Sequence, residues 1–180
     1  GYETYNTKDT DFSAQLTKVK GAGPDVLFLP NYFNEVPLQV QQARKLGLTA
    51  TVLGGDGWDN PELVKLGGAV MDGTYFSNHY SPDLDSPAAK AFIGAYQARF
   101  KAVPDAAAAL TYDSAKLLFQ AIAAAGKADP RAIREALAAT KGFQGVTGSV
   151  TYTGTGDPVK GAVVIKIEKG RFVFDSAVNP

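Results

Sequence analysis

The chain contains 180 residues, and its 45% share of hydrophobic residues is enough to form a substantial core. Its 18 basic and 18 acidic residues cancel, so the net charge gives no reason to expect binding to nucleic acid or to an anionic membrane surface. The absence of cysteine excludes disulfides, thiolate metal sites and cysteine nucleophiles. No apolar run approaches the ~20 residues that span a bilayer, and the first residues lack the pattern of a secretory signal. We therefore expect a soluble chain that does not insert into a membrane and whose export signal lies outside it.

The first 80 residues alternate between short apolar runs and segments with helical spacing. Residues 25–29 (DVLFL) are mostly apolar, which predicts a strand buried on both faces. Asn34 is expected to cap the helix that follows, and Gly47 to end that helix in a left-handed conformation. The predicted strands are residues 3–5, 25–29, 51–53 and 74–77, and the predicted helices begin near residues 11–13, 34 and 59. Such βαβ units favour a parallel, doubly wound α/β sheet.

Beyond residue 80, helices follow one another without a new parallel strand. Helices are predicted to begin at Ser86, Asp105 and Asp129, each followed by helical spacing of apolar residues. Residues 149–153, 162–167 and 172–174 predict antiparallel strands, the last two joined by a turn at residues 169–170. Because no sheet accompanies the helices after Pro104, we expect them to cover a surface that this chain does not contain.

The segment of residues 54–59 (GGDGWD) is the most informative stretch of the sequence. It follows a predicted parallel strand, and open α/β sheets bind ligands at the carboxyl ends of their strands. A carboxylate at Asp56 beside the indole of Trp58 suits a small cationic or amino-bearing ligand, through ion pairing and cation–π attraction. Asp59 is expected to cap the next helix. The alternative is a purely structural role, in which Asp56 is an ordinary turn residue and Trp58 belongs to the core or its rim.

Enzyme motifs are missing from the sequence. It has no Gly-x-Ser-x-Gly elbow, no P-loop, no Gly-x-Gly-x-x-Gly after a strand and no His-Glu-x-x-His. The only histidine, His79, belongs to no motif that joins it to a cysteine or a carboxylate, and a lone histidine of this kind favours a structural or surface role. The sequence therefore predicts no catalytic residue, no metal site and no cofactor.

An ordered series of segments runs along the chain, namely residues 11–16 (DFSAQL), 25–29 (DVLFL), 42–47 (QARKLG), the glycine loop around Asp56, 111–115 (TYDSA), 148–152 (GSVTY) and 156–157 (GD). This series resembles the branched-chain amino acid binding proteins of ABC importers. Proteins of this family have the type I periplasmic binding protein fold, in which two α/β lobes close on a ligand. A member is longer than this chain, which resembles the second half.

The resemblance implies a division of the chain among the two lobes. Residues 1–103 would form most of the second lobe, residues 104–160 would cross back to pack on the first lobe, and residues 161–180 would return as terminal strands. The apolar helix faces after Pro104 would then need a partner, because such patches drive association. That partner would be the missing first lobe or a second copy of the chain.

The resemblance also implies roles for single residues. Tyr32 stands where an aromatic packs against the ligand, and Asp56 where an acid binds the ligand's α-ammonium. Members usually carry glutamate at the second position, and the shorter aspartate leaves room for a bridging water or a different amino acid. Trp58 and Tyr80 are further ligand-binding candidates at the cleft. Ala107 stands where some members have an aromatic residue. The pocket for the ligand's side chain, and with it the identity of that side chain, therefore stays open.

The predicted function is that of a solute-binding protein of an ABC importer. It would bind a branched-chain or other small amino acid between two lobes, in the periplasm or outside the cell, with or without a lipid anchor, and deliver it to permease subunits. The main alternative is a ligand-sensing receptor or regulator domain of the same fold. A third alternative is an α/β hydrolase-like enzyme fragment, which turnover of amino acid amides would favour.

Overall fold

The computed structural model describes residues 1–179, and these fall into two compact units. The first unit comprises Gly1–Asn78 and Val164–Asp175, and the second comprises His79–Val163 and the residues from Ser176 onward. The helices are α1 (Ser13–Gly21), α2 (Val36–Lys45), α3 (Glu62–Gly67), α4 (Pro87–Phe100), α5 (Ala106–Ala125) and α6 (Pro130–Ala138). The strands are β1 (Val26–Leu29), β2 (Thr51–Gly54), β3 (Tyr75–Asn78), β4 (Phe143–Gly145), β5 (Gly148–Tyr152), β6 (Pro158–Val159), β7 (Ala162–Glu168) and β8 (Arg171–Val178).

The first unit is built on a five-stranded sheet with the strand order β1-β2-β3-β7-β8. Strands β1, β2 and β3 are parallel, with Leu29 opposite Gly54. Lys169 and Gly170 connect β7 to β8 with positive φ angles of 51° and 68°, as a two-residue hairpin turn requires. The predicted α/β class with a mainly parallel sheet is confirmed.

Helix α2 follows the sequence prediction except at its start. Val36, Val40 and Ala43 are buried along one face, and Gly47 ends the helix with a φ of 77°. The predicted cap at Asn34 is wrong, because Glu35 occupies the N-cap position and its side chain makes no capping hydrogen bond.

The start of α3 also differs from the prediction. Asp59 was expected to cap this helix, whereas the Asn60 Oδ1 accepts a hydrogen bond from the Glu62 amide at 2.9 Å. Asp59 instead ends the short 3₁₀ turn Asp56–Trp58 that precedes the helix. Asp59, which the sequence pattern predicts as the helix cap, therefore belongs to the end of this turn.

Two expectations for the amino-terminal strands are wrong. Residues 3–5 form no strand. In β1, Leu27 and Leu29 are buried, but Val26 is 48% and Phe28 58% exposed, so this strand is not buried on both faces. Val26 and Phe28 alternate with the buried leucines and so share one face of the strand, which the described residues leave uncovered.

The second unit contains α4, α5 and α6 and a three-stranded sheet. The side chains of Ser86, Asp105 and Asp129 accept hydrogen bonds from the third residue after each, at 2.8–3.0 Å, which confirms the three predicted helix starts. Strands β4, β5 and β6 pair antiparallel in that order, and β4 and β6 were not predicted.

Helix α5 has two apolar faces, of which only one is covered within residues 1–179. Ala109 and Leu117 are buried, and Leu117 packs with Phe143 and Val150 of the small sheet. The other face carries exposed apolar side chains, namely Tyr112, Leu118, Phe119 and Ile122, and Phe119 is 67% exposed. Phe100 of α4 is exposed as well. No helix within residues 1–179 combines the length and the apolar character needed to cross a membrane.

Candidate functional site

Two loops meet at the carboxyl ends of neighbouring parallel strands in the first unit. Residues 30–35 follow β1 and residues 55–59 follow β2, and the last residues of these strands, Leu29 and Gly54, lie opposite each other. The Phe33 amide donates a hydrogen bond to the Gly57 carbonyl at 3.0 Å, which ties the two loops together. The carboxyl ends of the parallel strands are the usual ligand site of such a fold. Tyr32 and Asp56 lie on these two loops.

Tyr32 is anchored through its backbone and leaves much of its ring open. Its carbonyl accepts hydrogen bonds from the amides of Glu35 and Val36 at 3.1 and 3.3 Å. A methyl group placed at Gly57 would lie 3.1 Å from the ring, so the ring packs closely on the turn that bears Asp56. The side chain is nevertheless 68% exposed. An aromatic surface is therefore available beside the Asp56 turn.

Asp56 opens the 3₁₀ turn Asp56–Trp58 and is exposed. Its carbonyl accepts a hydrogen bond from the Asp59 amide at 3.0 Å, and the Trp58 amide donates to the Gly55 carbonyl at 3.1 Å. The turn thus fixes the backbone while the carboxylate reaches solvent. An exposed carboxylate beside an aromatic ring can receive an ammonium group through ionic hydrogen bonds and cation–π attraction.

A depression of about 430 Å³ borders Tyr32. Its lining includes Glu3, Tyr5, Asn31 and Glu35, and the Tyr5 hydroxyl donates to the Glu35 carboxylate at 2.9 Å. Asp56 is not among the residues that line this depression. Within residues 1–179, no three histidine or carboxylate side chains are grouped so that they could hold a metal ion.

Trp58 is enclosed within the first unit. Its side chain is 0% exposed, its Nε1 donates to the Leu29 carbonyl at 3.2 Å, and its ring lies 6.1 Å from that of Phe76. An indole without exposed surface offers no face to a ligand in this arrangement. This burial matches the alternative that places Trp58 in the core, and the assignment of Trp58 as a ligand-binding residue stays a prediction.

Tyr80 belongs to the second unit, where it is buried in an apolar cluster with Phe92, Ala109 and Val146. Its hydroxyl has no hydrogen-bond partner among residues 1–179. Burial, together with the negative charges of Asp83 and Asp105, raises the pKa of Tyr80 to about 12. Its assignment as a ligand-binding residue stays a prediction.

A buried polar cluster in the second unit was missed at the sequence level. The Asp113 carboxylate accepts hydrogen bonds from the amides of Val146 and Thr147, both at 2.8 Å, and from the Thr147 hydroxyl at 2.7 Å. Lys160 has a buried amine without a hydrogen-bond partner among residues 1–179; burial lowers its pKa, and the charge of Asp113 acts in the opposite direction. A carboxylate in the middle of an alanine-rich helix was the available signal.

Comparison with known proteins shows the class. Residues 1–171 match the family described as periplasmic binding protein, and the chain belongs to this family. The resemblance drawn from the sequence is thereby confirmed.

Particular relatives bind branched-chain amino acids according to their names. A Leu/Ile/Val-binding protein homolog of Brucella suis is 33% identical over 172 residues, which cover 94% of this chain and 45% of the relative. The leucine-, isoleucine-, valine-, threonine-, and alanine-binding protein of Pseudomonas aeruginosa is 30% identical, over 87% of this chain and 41% of its own length. The chain spans about half the length of the curated relatives that it matches.

Solved structures give the same result. The leucine-binding protein LivK of Thermotoga maritima is 37% identical with a TM-score of 0.90, over 98% of this chain and 51% of that protein. The branched-chain amino acid transporter substrate-binding protein LivJ of Streptococcus pneumoniae, solved with isoleucine, is 37% identical with a TM-score of 0.82, over 99% and 51%. One lobe of the type I periplasmic binding protein fold is thus present in this chain.

Proposed function

We propose that this chain is part of a solute-binding protein that delivers a branched-chain or other small amino acid to the permease subunits of an ABC importer. The observation that carries the proposal is the pairing of an exposed carboxylate, Asp56, with an exposed ring, Tyr32, on hydrogen-bonded loops at the ligand edge of a parallel sheet. The names of the relatives support the choice of ligand class.

The chemistry of the two residues suits the amino end of an amino acid. The carboxylate of Asp56 would accept ionic hydrogen bonds from the α-ammonium, and the ring of Tyr32 would cover apolar atoms next to it. The family to which the chain belongs is described as periplasmic binding protein, a class of proteins that bind solutes. The proposed role is therefore reversible binding without turnover.

The remaining contacts would come from residues outside this chain. The proposed protein has two lobes, with residues 1–103 in the second lobe, residues 104–160 packing on the first, and residues 161–180 returning to the second. The exposed face of α5 would be covered by that first lobe or, in its absence, by a second copy of the chain. We place the protein in the periplasm or outside the cell.

Calorimetry with L-leucine, L-isoleucine and L-valine tests the proposal in the full-length protein, meaning this chain together with any residues that precede or follow it. Asp56→Asn should weaken binding by about 1.5–3 kcal/mol, the usual contribution of a hydrogen bond to a charged group. Asp25→Asn is the matched control, because Asp25 is an exposed carboxylate just before β1, at the opposite end of the same sheet. Equal affinities for wild type and Asp56→Asn would remove this carboxylate from the ligand site.

A further inference from the structure

We propose that Trp58 is a positioning residue that holds the loops of Tyr32 and Asp56 in one fixed arrangement and so determines ligand affinity without contacting the ligand. The inference rests on the proposed function for the identity of the ligand. Its structural basis, however, lies in contacts that exist within the first unit alone.

The indole hydrogen bond connects the starting points of the two loops. Trp58 Nε1 donates to the carbonyl of Leu29 at 3.2 Å. Leu29 is the last residue of β1, three residues before Tyr32, and Trp58 lies two residues after Asp56. One side chain therefore links the turn that carries the carboxylate to the point where the loop of the aromatic ring begins.

The space for the indole is provided by Gly54, the last residue of β2. A methyl group at this position would overlap the six-membered ring of the indole, so any larger residue would displace Trp58. Phe76 of β3 lies near the indole, with ring centroids 6.1 Å apart. The indole is thus enclosed, and its position is set by its surroundings.

The two loops also contact each other directly, in addition to being linked by the hydrogen bond from the indole to Leu29. The Phe33 amide donates to the Gly57 carbonyl at 3.0 Å, and a methyl group at Gly57 would lie 3.1 Å from both the Asn31 carbonyl and the Tyr32 ring. Backbones this close transmit small displacements. A shift of Trp58 would therefore move Gly57, and with it both Tyr32 and Asp56.

This arrangement distinguishes tryptophan from other apolar residues. Phenylalanine would fill part of the volume but would leave the Leu29 carbonyl without its buried donor, since a phenyl ring carries no N–H. We expect the loops to keep their fold in Trp58→Phe and to lose their fixed spacing. The control is Ile167→Ala, because Ile167 is fully buried in the same unit. Its amide donates a hydrogen bond to the carbonyl of Thr74, which lies just before β3 and so at the end of that strand away from the two loops.

A double-mutant cycle in the full-length protein, with L-isoleucine as the probe, tests the proposal. Trp58→Phe should weaken binding about tenfold in the wild-type background, within the range of coupled neighbours. It should have a markedly smaller effect in the Asp56→Asn background, because the carboxylate that it positions is gone. Ile167→Ala should lower the unfolding temperature and keep the affinity. Fully additive effects, or a Trp58→Phe protein that loses stability but not affinity, would overturn the proposal.

Hydrogen exchange supplies an arm that needs no ligand. In Trp58→Phe and in Gly54→Ala, the Phe33 amide should exchange about tenfold faster than in wild type, as expected when local opening becomes easier. In Ile167→Ala, this amide should show no such local effect. If the wild type binds neither a branched-chain nor another small amino acid, the proposed function fails, and the exchange rate still decides the role of Trp58. An unchanged rate at Phe33 in both variants would overturn it.

Discussion

Replacing Asp113 by asparagine should destabilise the second unit. Asp113 lies on α5, is 4% exposed, and accepts three hydrogen bonds of 2.7–2.8 Å from Val146 and Thr147. Those two residues form the turn between β4 and β5. The carboxylate thus attaches the small sheet to the helix, and Gly145 beside it leaves no room for a side chain.

The magnitude follows from counting acceptors. One carboxylate oxygen accepts from the Val146 amide, and the other accepts from both the amide and the hydroxyl of Thr147. Asparagine offers one acceptor oxygen, and its NH₂ group would face a donor at the other position. Loss of one hydrogen bond to a charged group costs about 1.5–3 kcal/mol, and weakening of the others brings the expected loss to about 2–4 kcal/mol. For a domain of this size, that corresponds to a fall of roughly 5–15 °C in the unfolding temperature.

Thermal and urea unfolding followed by circular dichroism measures this loss. Asp157→Asn is the control, since Asp157 is exposed and the same chemical change there should alter stability by less than ~0.5 kcal/mol. If Asp113→Asn unfolds at the same temperature as the control, the three hydrogen bonds do not stabilise the unit, and the reasoning is refuted.

Three further substitutions test other parts of the account. Tyr32→Ala should weaken amino acid binding measured by calorimetry and barely change the unfolding temperature, because its ring is 68% exposed; the reverse pattern would make Tyr32 a structural residue. Tyr80→Phe should preserve or raise stability by removing a buried hydroxyl without a partner, an arrangement that costs about 1–3 kcal/mol, whereas a lower unfolding temperature would contradict this view. Lys160 has a lowered pKa in the folded state, so wild-type stability should rise with pH between that pKa and the ordinary value of about 10.5. Lys160→Met should therefore be more stable than wild type at neutral pH, and the difference in stability should shrink towards pH ~10. A stability difference that does not change with pH would argue against a buried charge at Lys160.

The elements that were predicted correctly have local causes. The caps at Ser86, Asp105 and Asp129 are set by residues within one helical turn, so the sequence pattern locates these helix starts. By contrast, β4 and β6 have three and two residues, too few for a periodic pattern, and they form because β5 lies between them. Exposure of Phe28 in β1 likewise depends on what lies beside the sheet, which no local pattern contains.

The candidate site was predictable in part for the same reason. Consecutive parallel strands place Tyr32 and Asp56 on neighbouring loops, and this follows from the order of elements alone. The direction of Trp58 did not follow, because a residue in a short turn can point towards the core or away from it. Its burial depends on the space left by Gly54 and on the Leu29 carbonyl, both of which require three-dimensional distances.

The most direct test of the central claim is a crystal structure of the full-length protein grown with L-isoleucine. The account predicts that the ligand's ammonium nitrogen lies about 2.7–2.9 Å from a carboxylate oxygen of Asp56, or is joined to it through one water, as expected for charge-assisted contacts. It also predicts that the ring of Tyr32 packs against the ligand, while Trp58 stays buried behind the loops. An isoleucine bound elsewhere, with neither Asp56 nor Tyr32 in contact with it, would contradict the account.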